Sequence, residues 1–309
     1  MLNKLLIVLL VIVAAGCKNY DRSGDSISSG QLKIGVDDSY SLMIDSQIFV
    51  YEQVYKKAKI NPTYMPEGDV IQALLDDSIQ AAIISRPLSE QEMEFFKSKQ
   101  KIPESTKIAV DGVALVVNPN NPDTILTMEQ LTEIFKGIDT TWNQVIEGSK
   151  LGSLRVVFDN NKSCNERTLR EKFIPNGQFP STCFAVHSNE EVINYVSQNP
   201  NAIGIISVSW ISDRDEPKSV EMMKKVKAIR IIDPSNKVDP QMARGPFQAY
   251  IYDESYPLRR DVYAIRTGLR GTLGTGFVSH LAGEKGQLII HKMGMVAAHS
   301  PVRTIRITE

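Results

Sequence analysis

The sequence predicts an α/β fold with mixed sheets. Short aliphatic, β-branched runs such as 32–36 and 202–208 alternate with longer segments whose apolar residues recur at helical spacing. Ser or Thr followed three residues later by Glu or Gln marks several junctions as helix starts. A chain of 309 residues, 42% hydrophobic, is long enough for one large domain or two of ordinary size.

Taken from the start, Lys4 precedes an apolar run from Leu5 to Ala15, and Gly16-Cys17 closes it. That run is far shorter than the ~20 residues a bilayer-spanning helix needs. A positive start, a short apolar stretch and a small-residue exit read as a secretory signal over residues 1–16. Cysteine directly after "AAG" resembles the lipobox of bacterial lipoproteins, which implies lipid attachment at Cys17 and a membrane-anchored, extracytoplasmic protein. A free secreted protein and an uncleaved anchor are the alternatives. Loss of Lys4 with the signal moves the net charge from −1 to −2, so nothing strongly basic remains to hold nucleic acid. Residues 17–30 are polar and without period, as expected of a flexible tether. Cys164 and Cys183 are the other cysteines, too few for a disulfide scaffold, and their pairing is left open.

Beyond the tether, "LKIGV" at 32–36 reads as a strand. The next segment places Ile44, Ile48, Tyr51, Val54 and Tyr55 on one helical face. "DVIQALLDD" and "AAIIS" repeat the helix-then-strand order. Ser89 with Glu92 opens the helix that follows. Thr127 with Gln130 opens another, which Gly137 stops, and Ser188 with Glu191 opens a third, which Pro200 follows. Strands are expected at 114–117, 154–158 and 202–208. "GLRGTLGTGF" at 268–277 reads as a loop entering a helix.

Three islands, "IFKGIDTTW" at 134–142, "NAIGIISVSW" at 201–210 and "YPLRRDVYAI" at 256–265, resemble in order and spacing the solute-binding receptors of high-affinity phosphate ABC importers. The resemblance covers most of residues 31–300. It implies a two-lobed periplasmic binding protein fold of type II with two crossover hinge segments. Lobe one would comprise residues 31–112 plus 246–309, and lobe two residues 113–245. "DGVALVVNPNNP" at 111–122 would be the first crossing and "YPLRRDVYAI" the return, with the ligand cleft between the lobes.

An oxyanion can be held without a cation where backbone amides at helix N-termini converge on it, helped by hydroxyls. Strand-to-helix corners able to do this occur at 37–41, 85–87 and 160–166. By the resemblance, Ser39 or Ser41 supplies a hydroxyl and an amide, though either could simply cap its helix. Ser85 and Arg86 form the second contact, Arg86 through a bidentate pair with the oxyanion, the alternative being a surface or interlobe ion pair. Gly68, in "PEGD", lets backbone approach the ligand. At the third corner the receptors show R-x-D-G-S-G-T. Here Ser163 keeps the serine, Cys164 and Asn165 replace glycine and threonine, Asp159 stands at the arginine position and Asn161 at the aspartate position. Ser163 with Glu166 also makes a capping box, and Arg155 or Arg167 could replace the lost arginine. Asp37, Asp38 and Asp69 could accept a ligand proton, repel an anion or be solvated turn residues.

Histidines 187, 280, 291 and 299 show no metal-ligand spacing, and no G-x-S-x-G elbow, Walker loop, kinase signature or dinucleotide fingerprint occurs. The sequence therefore points to no enzyme, cofactor or metal. It points to a receptor for phosphate or a related small oxyanion that docks on an ABC permease. The alternative is a lipoprotein of the same fold acting as sensor or adaptor in an envelope complex, with weak or no phosphate binding.

Overall fold

A computed structural model describes residues 25–299 except 237, 238 and 240. The signal segment and Cys17 lie outside the described residues.

Strand β1 (Ser29–Asp37) ends in a 3-10 turn (Asp38–Tyr40) that runs directly into α1 (Ser41–Val54). Then come β2 (Lys57–Met65), α2 (Glu67–Leu75), β3 (Ala81–Ile84), α3 (Glu90–Ser98) and β4 (Glu104–Val117). The middle of the chain holds β5 (Ile125–Thr127), α4 (Met128–Lys136), α5 (Trp142–Val145), β6 (Arg155–Phe158), α6 (Cys164–Phe173), β7 (Cys183–Ala185), α7 (Asn189–Gln198) and β8 (Ala202–Ser207). A second 3-10 turn (Val208–Ile211) leads to α8 (Pro217–Lys225), β9 (Lys227–Ala228), β10 (Arg230–Ile232), α9 (Gln248–Tyr252), β11 (Arg259–Arg266), α10 (Leu273–Ala282), α11 (Glu284–Lys292) and β12 (Val296–Ala297).

Ten strands form one mixed sheet in the order β2-β1-β3-β11-β4-β8-β6-β7, with β9 and β12 also on β4, while β5 and β10 pair separately. The 14-residue β4 belongs to both halves of this sheet. Its Glu104–Gly112 portion pairs antiparallel with β11, and Val113–Val117 pairs antiparallel with β8. The return crossing lies beside it, since Arg259 pairs with Gly112 and Val113 N–H donates to Leu258 O at 2.8 Å. Within each half the outer strands run parallel, as βαβ units require. The expected strand at 114–117 is thus only the end of a longer one.

Local signals explain most helix limits. The capping boxes at Ser89–Glu92 and Thr127–Gln130 are both formed, and Gly137 takes the left-handed conformation, φ 73°, that stops α4. Ser188 accepts from Glu191 N–H, whereas the Glu191 carboxylate accepts from His187 N–H, one residue earlier than a capping box requires. On α1, Ile44, Ile48 and Tyr51 are buried, but Val54 and Tyr55 are exposed because the helix ends there and the chain turns toward β2.

The three family-like islands are packing devices. Ile134, Phe135 and Trp142 are buried together, and Trp142 Nε1–H donates to Asn201 O at 2.8 Å. A Cβ on Gly204 would come within 2.7 Å of the Val192 and Val196 side chains, so glycine is what lets α7 lie on β8. Tyr256, fully buried, donates to Val113 O at 2.7 Å and ties the return segment to the crossing of β4.

Candidate anion-binding cleft

Between the two halves of the sheet, corners from each side meet around the side chain of Asp37, the last residue of β1 and wholly buried. Its Oδ1 accepts from Ser39 N–H at 2.9 Å, in the turn that enters α1. Its Oδ2 accepts from Glu67 N–H at 2.9 Å, the first residue of α2, and from Cys164 N–H at 3.1 Å, the first residue of α6. The Cys164 thiol adds a fourth donor at 3.1 Å to Oδ1. Amides at two helix starts and one turn are the groups that stabilise an anion, and here the anion is the chain's own carboxylate.

Around this point the halves are stitched by charged and amide side chains. Glu67, nearly buried, receives Arg167 Nε at 2.6 Å from α6, and Ser85 N–H and Oγ, both at 2.7 Å. Arg167 Nη2 also donates to Ser85 Oγ at 2.6 Å. Asn165 Nδ2 donates to Ser39 Oγ at 3.1 Å and to Asp159 Oδ1 at 3.0 Å. Asn189, opening α7, donates its backbone N–H and Nδ2 to Asp38 Oδ2, each at 2.9 Å. Behind the floor, Arg260 Nε and Nη2 reach Asp111 Oδ2 at 3.1 and 2.8 Å, and the guanidinium carbon lies 5.5 Å from the centroid of the Tyr40 ring. Among the described residues Asn165 Oδ1 and Arg260 Nη1 are buried without a hydrogen-bond partner, so hydrogen-bonding capacity remains at the site.

Burial, reinforced by the charge of Glu67, raises the Asp37 carboxyl above the usual range, with the donated hydrogen bonds and Arg260 opposing. Burial also pushes the Cys164 thiol well up, which keeps it protonated and able to donate. Desolvation works against ionised Glu67 too, but Arg167 together with the two hydrogen bonds from Ser85 outweighs it and the carboxyl ends below its ordinary value. Asp159 is pushed up to about 7, by burial first and then by Asp37, with Asp38 adding to the rise and hydrogen bonds from Ser163 and Asn165 opposing it.

The Asp159 shift sets a pH dependence. Between about pH 4 and pH 7 the folded chain holds a proton on Asp159 that the unfolded chain has released, so stability falls as pH rises through that window. Asp37 acts in the same direction, while Glu67 contributes stability that is lost only at lower pH. Thermal unfolding should therefore show a higher midpoint near pH 5 than near pH 8, and Asp159→Asn should flatten the difference. A midpoint that rises across the same interval in the wild type would contradict this assignment.

Of the residues singled out in the sequence, Ser39, Ser85, Cys164 and Asn165 face the meeting point or its immediate partners. Ser163 holds the loop, since its Oγ donates to Asp159 Oδ1 at 2.8 Å and accepts from Glu166 N–H. Ser41 Oγ donates to Asp38 O at 2.9 Å within its own turn. Gly68 N–H donates to Lys162 O at 3.1 Å, so its close approach is to the opposite half of the molecule. Arg86 is engaged by Glu92 at 2.7 and 2.8 Å and by Pro87 O. Arg167 is the arginine that reaches the cleft, whereas Arg155 is exposed at the start of β6. Sequence reasoning gave Asp37 no fixed role and overlooked Glu67, Asn189 and Arg260. A carboxylate directly preceding a helix start was the one available signal for Asp37.

A family model described as the PBP superfamily domain matches residues 22–285. The phosphate-binding protein PstS of Borreliella burgdorferi is 22% identical over 308 residues, covering 96% of this chain and 99% of that protein. The phosphate-binding protein PstS of Staphylococcus aureus strain USA300 is 25% identical over 284 residues, covering 89% and 81%. Among solved structures, a substrate-binding protein assigned to phosphate ABC transport in Clostridium perfringens, with bound phosphate, superposes with a TM-score of 0.71 at 19% identity over 87% of this chain and all of that one. An ABC-type phosphate transport receptor from Vibrio cholerae gives 0.64 at 24% identity, again over 87% of this chain and 100% of its own. The strand shared by the two halves of the sheet and the corners that meet between them fit the two-lobed binding-protein fold of those structures, and the chain belongs to the PBP superfamily.

Proposed function

We propose that this chain is a lipid-anchored, extracytoplasmic solute-binding receptor that takes phosphate or a related small oxyanion and delivers it to an ABC permease. The observation that carries this reading is the convergence of the Ser39, Glu67 and Cys164 amides, drawn from both halves of the sheet, on one negatively charged group. Ser39 and Ser85 hydroxyls and the Arg167 guanidinium stand next to it. Relatives called phosphate-binding proteins share nearly the full length of the chain. In this reading residues 31–112 plus 246–309 form one lobe and 113–245 the other, with hinges where β4 and the segment before β11 cross. Cys17 carries the lipid.

The test is calorimetry on protein lacking residues 1–17, freed of carried-over ligand by unfolding and refolding. Saturable heat with phosphate, at a dissociation constant of about a micromolar or tighter, is the expected result. Silence with phosphate, sulfate, arsenate and phosphonates alike would remove the receptor function.

One observation favours the second reading, a sensor or adaptor in an envelope complex with weak or no phosphate binding. The amides offered here as anion donors are already taken by Asp37, with the carboxylates of Asp38 and Glu67 nearby and Asp159 where the receptor motif has an arginine. Crosslinking in intact envelopes separates the two, since an adaptor is captured with a partner other than a permease.

A further inference from the structure

We infer that Asp37 is a built-in substitute for the ligand anion: its carboxylate seats itself on the amides that would hold an exogenous oxyanion, bridges the two halves of the molecule, and competes with anything that enters. This inference rests on the receptor reading for the identity of the competitor, but the seating of the carboxylate is independent of it.

The geometry is that of a bound anion. Both oxygens are used, each by at least one backbone N–H, and the donors come from three separate corners. A residue serving only to cap its own turn would need the Ser39 contact alone. The Glu67 amide lies 30 residues away in sequence and the Cys164 amide 127 residues away, on the opposite side of the cleft. Among the described residues, no lysine or arginine donates to this carboxylate. Its charge is held by amides and the thiol, with Arg260 acting through space, as a binding site for a desolvated oxyanion would do. A second carboxylate or a phosphate cannot share these donors, because each amide has one hydrogen to give. Entry of a ligand therefore requires Asp37 to leave, and the measured affinity is the intrinsic one reduced by that competition.

Removing the carboxylate should leave a vacancy of its own shape, lined by amides with no acceptor. Asp37→Ala is expected to unfold at lower temperature than the wild type, and millimolar sodium formate should raise its midpoint in a saturable way while leaving the wild type unmoved. Inorganic phosphate should bind Asp37→Ala at least about tenfold more tightly than it binds the wild type in calorimetry. If Asp37→Ala does not fold in chloride buffer, its refolding yield should be restored by formate. Asp37→Asn supplies the control, since its amide fills the space and should gain nothing from formate.

Failure of formate to stabilise or refold Asp37→Ala would overturn the inference, as would equal phosphate affinity in wild type and variant. The latter result leaves the receptor reading standing. Formate rescue with no phosphate binding to either protein would have the opposite meaning, sustaining the internal anion and removing the phosphate receptor.

Discussion

Replacing Arg260 with methionine is expected to destabilise the protein by about 3–5 kcal/mol, the usual cost of leaving one member of a buried ion pair uncompensated. The Arg260 side chain is 4% exposed and that of Asp111 0%, so solvent cannot take over the orphaned charge. Among the described residues Asp111 would keep the Ser207 hydroxyl at 2.9 Å as its one side-chain donor. Tyr40 would lose the cation beside its ring, and Asp37 would lose the through-space charge that favours its ionised form. For a chain of this size each kcal/mol moves the midpoint by about 2–4 °C, so a fall on the order of 10 °C is the expected reading in calorimetry. Removing both partners, as Arg260→Met with Asp111→Leu, should recover part of the loss, because a buried pair stabilises little relative to an apolar replacement. A single substitution costing under about 1 kcal/mol would show that water reaches the pair and that the floor of the cleft is not dry.

A loss of similar size, about 3–5 kcal/mol, is expected for Trp142→Ala. Trp142 is among the largest fully buried side chains, and its Nε1–H is spent on Asn201 O at 2.8 Å. Truncation opens a cavity and strands that carbonyl at once, two penalties that the neighbouring backbone cannot relax away. Urea unfolding followed by circular dichroism gives the difference. Trp210, in the same half of the molecule, remains as a fluorescence probe and should report the transition at lower urea in the variant. Coincidence of the two curves within about 0.5 kcal/mol would mean that the island at 134–142 is not a packing centre.

These effects bear on how much of the molecule was legible in its sequence. Helix starts were readable because a hydroxyl and a glutamine or glutamate three residues on satisfy end amides locally, as at Ser89 and Thr127. The islands at 134–142, 201–210 and 256–265 were readable as a pattern, and the structure gives the reason: they are sites of tight burial, where one atom more is costly. Strand β2 escaped notice. It sits at the sheet edge, alternates lysines with buried residues and contains Pro62, so it lacks the aliphatic run that marks an interior strand. The candidate site was legible by position and not by chemistry. Corners at 37–41, 85–87 and 160–166 do come together, yet which group they surround depends on contacts between residues more than 100 apart, such as Asp37 with Cys164. No local motif encodes that Arg86 is taken by Glu92 while Arg167 crosses the cleft.

The place of β11 in the sheet has a consequence for how the molecule is made. This strand lies between β3 and β4, although it comes more than 140 residues after β4 ends. A chain that emerges N-terminus first leaves a gap at the centre of its sheet until almost the whole polypeptide has arrived. Pairings over such distances are slow to form, so the centre of the sheet closes late, and the two edges that flank β11 wait unpaired until residues 259–266 reach them.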